Sequence, residues 1–286
     1  MVVRAAAHAR RGGSSVDGAA LGRPVGKVNQ PAGEPDGGAE GLARMAHPIY
    51  VGTSGWGLPA SSRDAFPPEG STLSRYAARL PATEINSTFY RSHRPATFEG
   101  WAAQTPEPFR FAVKAPRELT HKRRLADPRE PLGRFLEELQ PLRARLGPIL
   151  IQLPPSLGFD PAAAEAFLTE WRTAFEGPTV LEPRHESWFG QEAAAMLEQA
   201  RIARVAADPA CCAVAREPGG WPGLAYWRWH GSPRMYSSAY PDDRLEALAS
   251  AVRRASGSAE TWCIFDNTMH GAAIAHALRL EAALAG

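Results

Sequence analysis

No apolar run in the sequence approaches the roughly 18 residues that a membrane-crossing helix needs, so no transmembrane helix is expected. Cysteine is scarce. Cys211, Cys212 and Cys263 form an odd set without C-x-x-C spacing, and the adjacent pair could bridge only under severe strain. A reducing cytoplasm is the expected home, and Cys263, inside the apolar run "TWCIF", reads as a small buried thiol rather than a nucleophile. Excess charge is also missing: 32 Lys and Arg face 30 Asp and Glu, for a net +2. That balance argues against a partner met by bulk charge, whether nucleic acid or an anionic membrane. Neither a G-x-G-x-x-G turn nor a P-loop is present, and the first apolar run leads instead into "GTSGWGLP". Nucleotide cofactors and an open doubly wound sheet therefore lose their main signature. What remains is a chain of 286 residues, 44% hydrophobic and 22% charged, average values for a globular protein.

Residues 1–46 are rich in Ala, Gly, Arg and Pro and show no sustained apolar periodicity, so they are expected to form a disordered extension. They lack the apolar core of a secretory signal, and Asp17, Glu34, Asp36 and Glu40 weigh against a transit peptide. Because "MAHPIYVGTSGW" runs straight into a strand pattern, translation is expected to begin at Met45, which the mass of the native N-terminus would check. From residue 47 to 286 short β-branched or apolar runs alternate with segments of helical period. Strands are expected in the runs beginning at Ile49, Ala82, Arg110, Pro148, Thr179, Ile202, Leu224 and Thr261, with helical segments in most of the gaps. Asp160 before Pro161 reads as a helix N-cap, Ser187 as another, and "PACCAVAREPGGWPG" is too broken for a helix. Eight strands with mostly helical crossovers give an α/β fold: a single (β/α)8 TIM-type barrel, for which about 250 residues suffice.

Strand alternation puts residues i and i+2 on one face. It pairs Glu84 with Asn86, Glu182 with Arg184, and Arg228 with His230 between Trp227 and Trp229. Lys114, Gln152, Asp208, Asp266 and Asn267 close other strands. All sit at C-terminal strand ends, where such barrels build their active sites. A barrel that needed only stability could fill this layer with valine and leucine. Burying charge there costs several kcal/mol per ion, a cost commonly tolerated for function.

The runs "GTSGW", "EINSTFYR", "FRFAVKAPRELTH", "LGPILIQLPPS", "LEPRHESW", "YWRWHG" and "IFDN" resemble, in this order, the YecE-like family, domain of unknown function 72. The resemblance covers Ile49 to Leu280 and implies a TIM-type barrel with a pocket, but no activity. Pro183, where the family more often has an aromatic, and the less asparagine-rich "DN" ending with His276 are departures that bear on specificity.

Two arginines at neighbouring strand ends suit a carboxylate or phosphate. The leading expectation is an enzyme working by general acid–base chemistry on an anionic small molecule. Glu182, Glu84, Lys114 and His230 are the catalytic candidates, with Asn86, Tyr90, Gln152, Arg184, His185, Arg228, Asp208 and Asn267 binding the ligand. His121 in "ELTHKRR" reads equally well as a solvated loop residue. A divalent metal on Glu182, Asp208 and His230 is a minority alternative, opposed by the arginines and by the absence of H-x-H or H-E-x-x-H spacing; otherwise no cofactor is expected. A Schiff base on Lys114 is a third chemistry, requiring an amine deprotonated by burial and nearby positive charge. A binding module is the remaining alternative, stacking nucleic acid on Trp56, Phe89, Tyr90, Trp188 and Tyr240.

Overall fold

The structure, a computed structural model, describes residues 47–286. The expectations for residues 1–46 lie outside the described residues. Ten strands form one sheet: β1 (Ile49–Ser54), β2 (Ala82–Ile85), β3 (Arg110–Lys114), β4 (Leu146–Gln152), β5 (Thr179–Glu182), β6 (Ala203–Arg204), β7 (Ala206–Asp208), β8 (Gly219–Gly220), β9 (Leu224–Trp229) and β10 (Glu260–Phe265). Their order, β7-β9-β10-β1-β2-β3-β4-β5-β6-β8, wraps the sheet into a barrel, and every pairing is parallel except β6 with β8.

The sixth barrel strand is broken where a single run was expected. Ala203 and Arg204 pair with β5, and the Val205 N–H still donates to Leu181 O at 2.9 Å. Ala206 to Asp208 then pair with β9 instead. One short segment thus serves both flanking strands in turn, and the ring closes there. The glycine- and proline-rich stretch after it adds only a 3-10 turn over Ala213–Arg216 and the β8 edge.

Among the described residues seven α-helices lie between the strands: α1 (Thr72–Ala77), α2 (Pro95–Ala103), α3 (Arg129–Leu139), α4 (Pro161–Ala174), α5 (Gln191–Gln199), α6 (Asp242–Ser256) and α7 (Ala272–Ala285). Asp160 caps α4 as expected, its carboxylate accepting from Ala163 N–H at 3.0 Å. Ser187 does not cap α5: it lies in a 3-10 turn, and Gly190 precedes the helix. After α3, Pro141 cannot continue α-helical hydrogen bonding, and the chain passes into a 3-10 turn.

Alternation divides the apolar residues into two cores. Outward-facing Val51, Ile85, Phe111, Val113, Ile149, Ile151 and Leu181 join the helices in the larger one. The inner core fills the lumen floor with Ala82, Ala112, Leu150, Val180, Ala203, Val205, Leu224, Tyr226, Trp262 and Ile264. Trp262 plugs this floor, its ring centroid 4.6 Å from that of Tyr50. Gly147 makes room for it, since a Cβ there would stand 2.5 Å from the indole. Trp227 and Trp229 face the outer core, as the alternation in "YWRWH" requires.

Candidate functional site

Two residues up from the floor, the same inward faces turn polar. Ala82 gives way to Glu84, Ala112 to Lys114, Leu150 to Gln152, Val180 to Glu182, Tyr226 to Arg228 and Ile264 to Asp266. His230 follows Arg228 one strand period later. All of these are buried.

Arg228 is the hub, with no exposed surface. Its Nη2 lies 2.7 Å from Glu84 Oε1 and 2.9 Å from Asp266 Oδ2, and its Nη1 lies 3.2 Å from Glu182 Oε2. Its Nε also donates to Glu84, at 3.1 Å to each oxygen. Burial alone would loosen the guanidinium proton, but the three carboxylates hold the pKa well above the ordinary arginine value. Glu182 is saturated. Its Oε1 accepts from Arg184 Nη2 at 3.1 Å and lies 2.9 Å from His230 Nε2, while Oε2 accepts from Gln152 Nε2 at 2.8 Å. Burial pushes the Glu182 carboxyl up, yet Arg184, Arg228 and His230 together hold it well below the usual carboxylate range. Asp266 behaves alike: burial opposes its charge, but Arg228 chiefly and His230 bring it down to about 2. Each ring nitrogen of His230 faces a carboxylate, Nε2 toward Glu182 at 2.9 Å and Nδ1 toward Asp266 at 3.1 Å. Beneath them the Tyr226 hydroxyl donates to Glu84 Oε2 at 3.0 Å. Burial and the Glu84 charge push that phenol well up.

Lys114 stands apart. It is 5% exposed, yet among the described residues no carboxylate lies within 4.0 Å of its Nζ, which sits 4.0 Å from the Phe89 ring centroid. Burial first, then repulsion from Arg228, lowers its pKa to about 8. Arg184 is the other member with capacity left: its side chain is 20% exposed, and among the described residues it reaches, beyond Glu182, only Met235 Sδ, at 3.7 Å, and the His230 ring. His121 joins this rim at partial exposure, its ring 4.9 Å from that of Phe89. Burial, then the charges of Lys114, Arg117 and Arg184, lowers its proton affinity.

The barrel therefore brings together Glu84, Lys114, Gln152, Glu182, Arg184, Arg228 and His230 of the sequence candidates. Asp208, Asn267, His185 and Tyr90 have other surroundings, and the direction of Asn86 is not set by its strand. Asp208 has the parity of Ala206, which packs in the outer core, and its carboxylate pairs with Arg244 of α6 at 3.1 Å. Removing it dissolves the metal set of Glu182, Asp208 and His230, and among the described residues no group of three or more His, Cys, Asp or Glu is placed to hold a metal ion. Asn267, one residue past inward Asp266, is buried and donates to Ser238 O at 2.9 Å, tying down the loop after β9. His185 caps a turn through Ser187 N–H at 3.3 Å. The chain leaves β2 before Asn86, whose φ of −89° and ψ of −19° are helical, so alternation does not aim it; its Oδ1 is buried without a partner among the described residues. Tyr90 is 66% exposed. Phe89, Trp188 and Tyr240 are packed, which removes most of the expected stacking platform. Asp266 was seen at its strand end but not counted among the site residues, and Tyr226 was missed because a tyrosine in an apolar strand gives no sign of its partner.

The comparisons agree with this architecture. A DUF72 family protein of Enterococcus faecalis V583 superposes with a TM-score of 0.72 at 23% identity, covering 83% of this chain and 96% of that one. A DUF72 family protein of Thermotoga maritima MSB8 does so with a TM-score of 0.70 at 26% identity, covering 84% and 100%. UPF0759 protein YunF of Bacillus subtilis is 32% identical over 152 residues, 49% of this chain and 52% of the relative. UPF0759 protein YecE of Escherichia coli K12 is 31% identical over 110 residues, 38% and 39% of the two chains. The aligned stretches thus span about half, or less, of these curated relatives. The family described as "Protein of unknown function DUF72" matches residues 50–286, nearly the whole barrel, and the chain belongs to that family.

Proposed function

We propose that the protein is an enzyme that moves protons on a small anionic molecule at the barrel mouth. One observation carries the reading: in a network whose carboxylates are saturated, Lys114 and Arg184 keep unused capacity and lie at the rim. Glu182 is then no general base, because its oxygens are engaged and its proton affinity is far too low. Its work is to orient Arg184. Arg228 likewise grips no ligand; it holds Glu84, Glu182 and Asp266 ionised. An amine with a pKa near 8 suits acid–base exchange near neutrality, and a partly exposed guanidinium suits a carboxylate or phosphate. Incubating the protein with a small-molecule extract and following it by mass spectrometry tests the reading. Wild type should deplete an anionic species that Lys114→Met leaves intact, and Arg184→Gln should bind that species at least tenfold more weakly. Depletion of no anion, or equal depletion by Lys114→Met, would defeat it.

A further inference from the structure

Of the 32 basic residues of the chain, only Lys27, Lys114 and Lys122 are lysines; the rest are arginines. Arginine cannot be deprotonated in a protein, whereas a buried lysine readily can. A chain that otherwise supplies its positive charge as guanidinium places an amine in the polar layer of its lumen. That amine is nearly buried, lies against the Phe89 ring, and has no carboxylate within ion-pair distance among the described residues. Its strand end is fixed by Thr88, whose hydroxyl donates to Lys114 O at 2.7 Å. The His121 Nδ1 is engaged by Thr120 Oγ1 at 2.8 Å, while its Nε2 has no hydrogen-bond partner among the described residues.

We propose that Lys114 is a nucleophile whose amine condenses with the carbonyl carbon of an anionic aldehyde or ketone, the anionic group resting on Arg184. This rests on the anionic-substrate reading above and adds the covalent bond. The neutral Nζ attacks the carbonyl carbon, and the carbonyl π pair moves to oxygen. One proton passes from nitrogen to that oxygen to give a carbinolamine. The nitrogen lone pair then forms the C=N bond as the hydroxyl group takes a proton from solvent and leaves as water. A protonated imine results: amine, carbonyl and one proton give iminium and water, with no redox partner. With a pKa of about 8, about a tenth of the Lys114 amine is neutral at pH 7, against roughly one part in three thousand for an ordinary lysine.

Cyanoborohydride trapping on the full chain tests this, with pyruvate and dihydroxyacetone phosphate as anionic probes and acetone as the neutral control. Intact mass and peptide mapping should find one adduct per chain, on Lys114, at least tenfold more abundant with the anionic probes than with acetone. Its yield should rise between pH 7 and 9, below the range in which an exposed lysine deprotonates. Lys122→Arg should keep the mark and Lys114→Arg lose it. Should Lys114→Arg fail to fold, the peptide map of wild type and of Lys122→Arg decides alone. Labelling confined to Lys27, Lys122 or the N-terminal amine, or absent, overturns the covalent step. If labelling is absent while the Lys114-dependent depletion persists, acid–base catalysis survives without the imine. If no anion binds at all, both readings fall.

Discussion

Ala82, Ala112, Leu150, Val180, Tyr226 and Ile264 fill the lower lumen; the residues two positions further on, Glu84, Lys114, Gln152, Glu182, Arg228 and Asp266, fill the upper. The two layers share strands, neighbours and near-complete burial, but they are held by different physics. The floor is stabilised by removing apolar surface from water, a non-directional gain that needs only shape. The rim must desolvate three carboxylates, one guanidinium and an ammonium, so its stability depends on the carboxylates meeting Arg228 in good geometry. The floor tolerates substitutions of similar volume, whereas the rim fails when a member of the paired network around Arg228 is removed. A layer built this way is costly as a plug, and it leaves two cations with spare capacity where the barrel opens.

The sharpest way to break the comparison is Arg228→Met, which makes the rim resemble the floor at one position while leaving Glu84, Glu182 and Asp266 without their shared cation. Removing one partner of a buried ion pair costs about 3–5 kcal/mol, so this variant should lose most of its stability in urea unfolding. Restoration by a simultaneous Glu84→Gln and Glu182→Gln would confirm that uncompensated charge is the cause. Lys114→Met should act in the opposite direction. The amine binds its proton less tightly folded than unfolded, so below pH 8 it destabilises the native state, and wild-type stability should rise as pH climbs from about 8 toward 10.5. Replacement by methionine should stabilise the protein at pH 7 by roughly 3 kcal/mol, seen as a higher Tm, while abolishing turnover. A Tm below that of wild type would mean that the lysine is a satisfied structural cation. The smallest effect concerns acid. Asp266 is depressed from 3.8 to about 2, so its contribution is present above pH 4 and lost as pH falls through about 2. The Tm of Asp266→Asn should fall less steeply than that of wild type between pH 4 and 2, by the equivalent of about 2 kcal/mol. Parallel curves would remove Asp266 from the ionised network.

Much of this layering was legible in single runs of sequence. "YWRWH" announces by alternation that Arg228 and His230 share a face opposite Trp227 and Trp229, and so they do. "ATEI" likewise places Glu84 inward. The errors share a physical cause. In "RVAAD" the two alanines carry no hydrophobic contrast between faces, so the outward parity of Asp208 could not be read from them. Asn86 and His185 lie beyond the last paired residue of their strands, where alternation no longer governs direction. Tyr90 was chosen for its chemistry with no periodicity behind it, and it points to solvent.

Where apolar and polar residues alternate within a strand, the sequence by itself determined which side chains share a face, because the two-residue period of a strand is a local property of the backbone. It also determined that charge gathers at the C-terminal strand ends. Which charge meets which was decided only by closure of the barrel. Arg228 and Glu84 stand 144 residues apart in the chain, and their contact exists because the parallel pairings through β1 and β10 bring β2 and β9 around one axis. The same closure spent the hydrogen-bonding capacity of Glu182 and Arg228 and left that of Lys114 and Arg184 in reserve, since saturation depends on how many partners the folded geometry supplies and not on residue type.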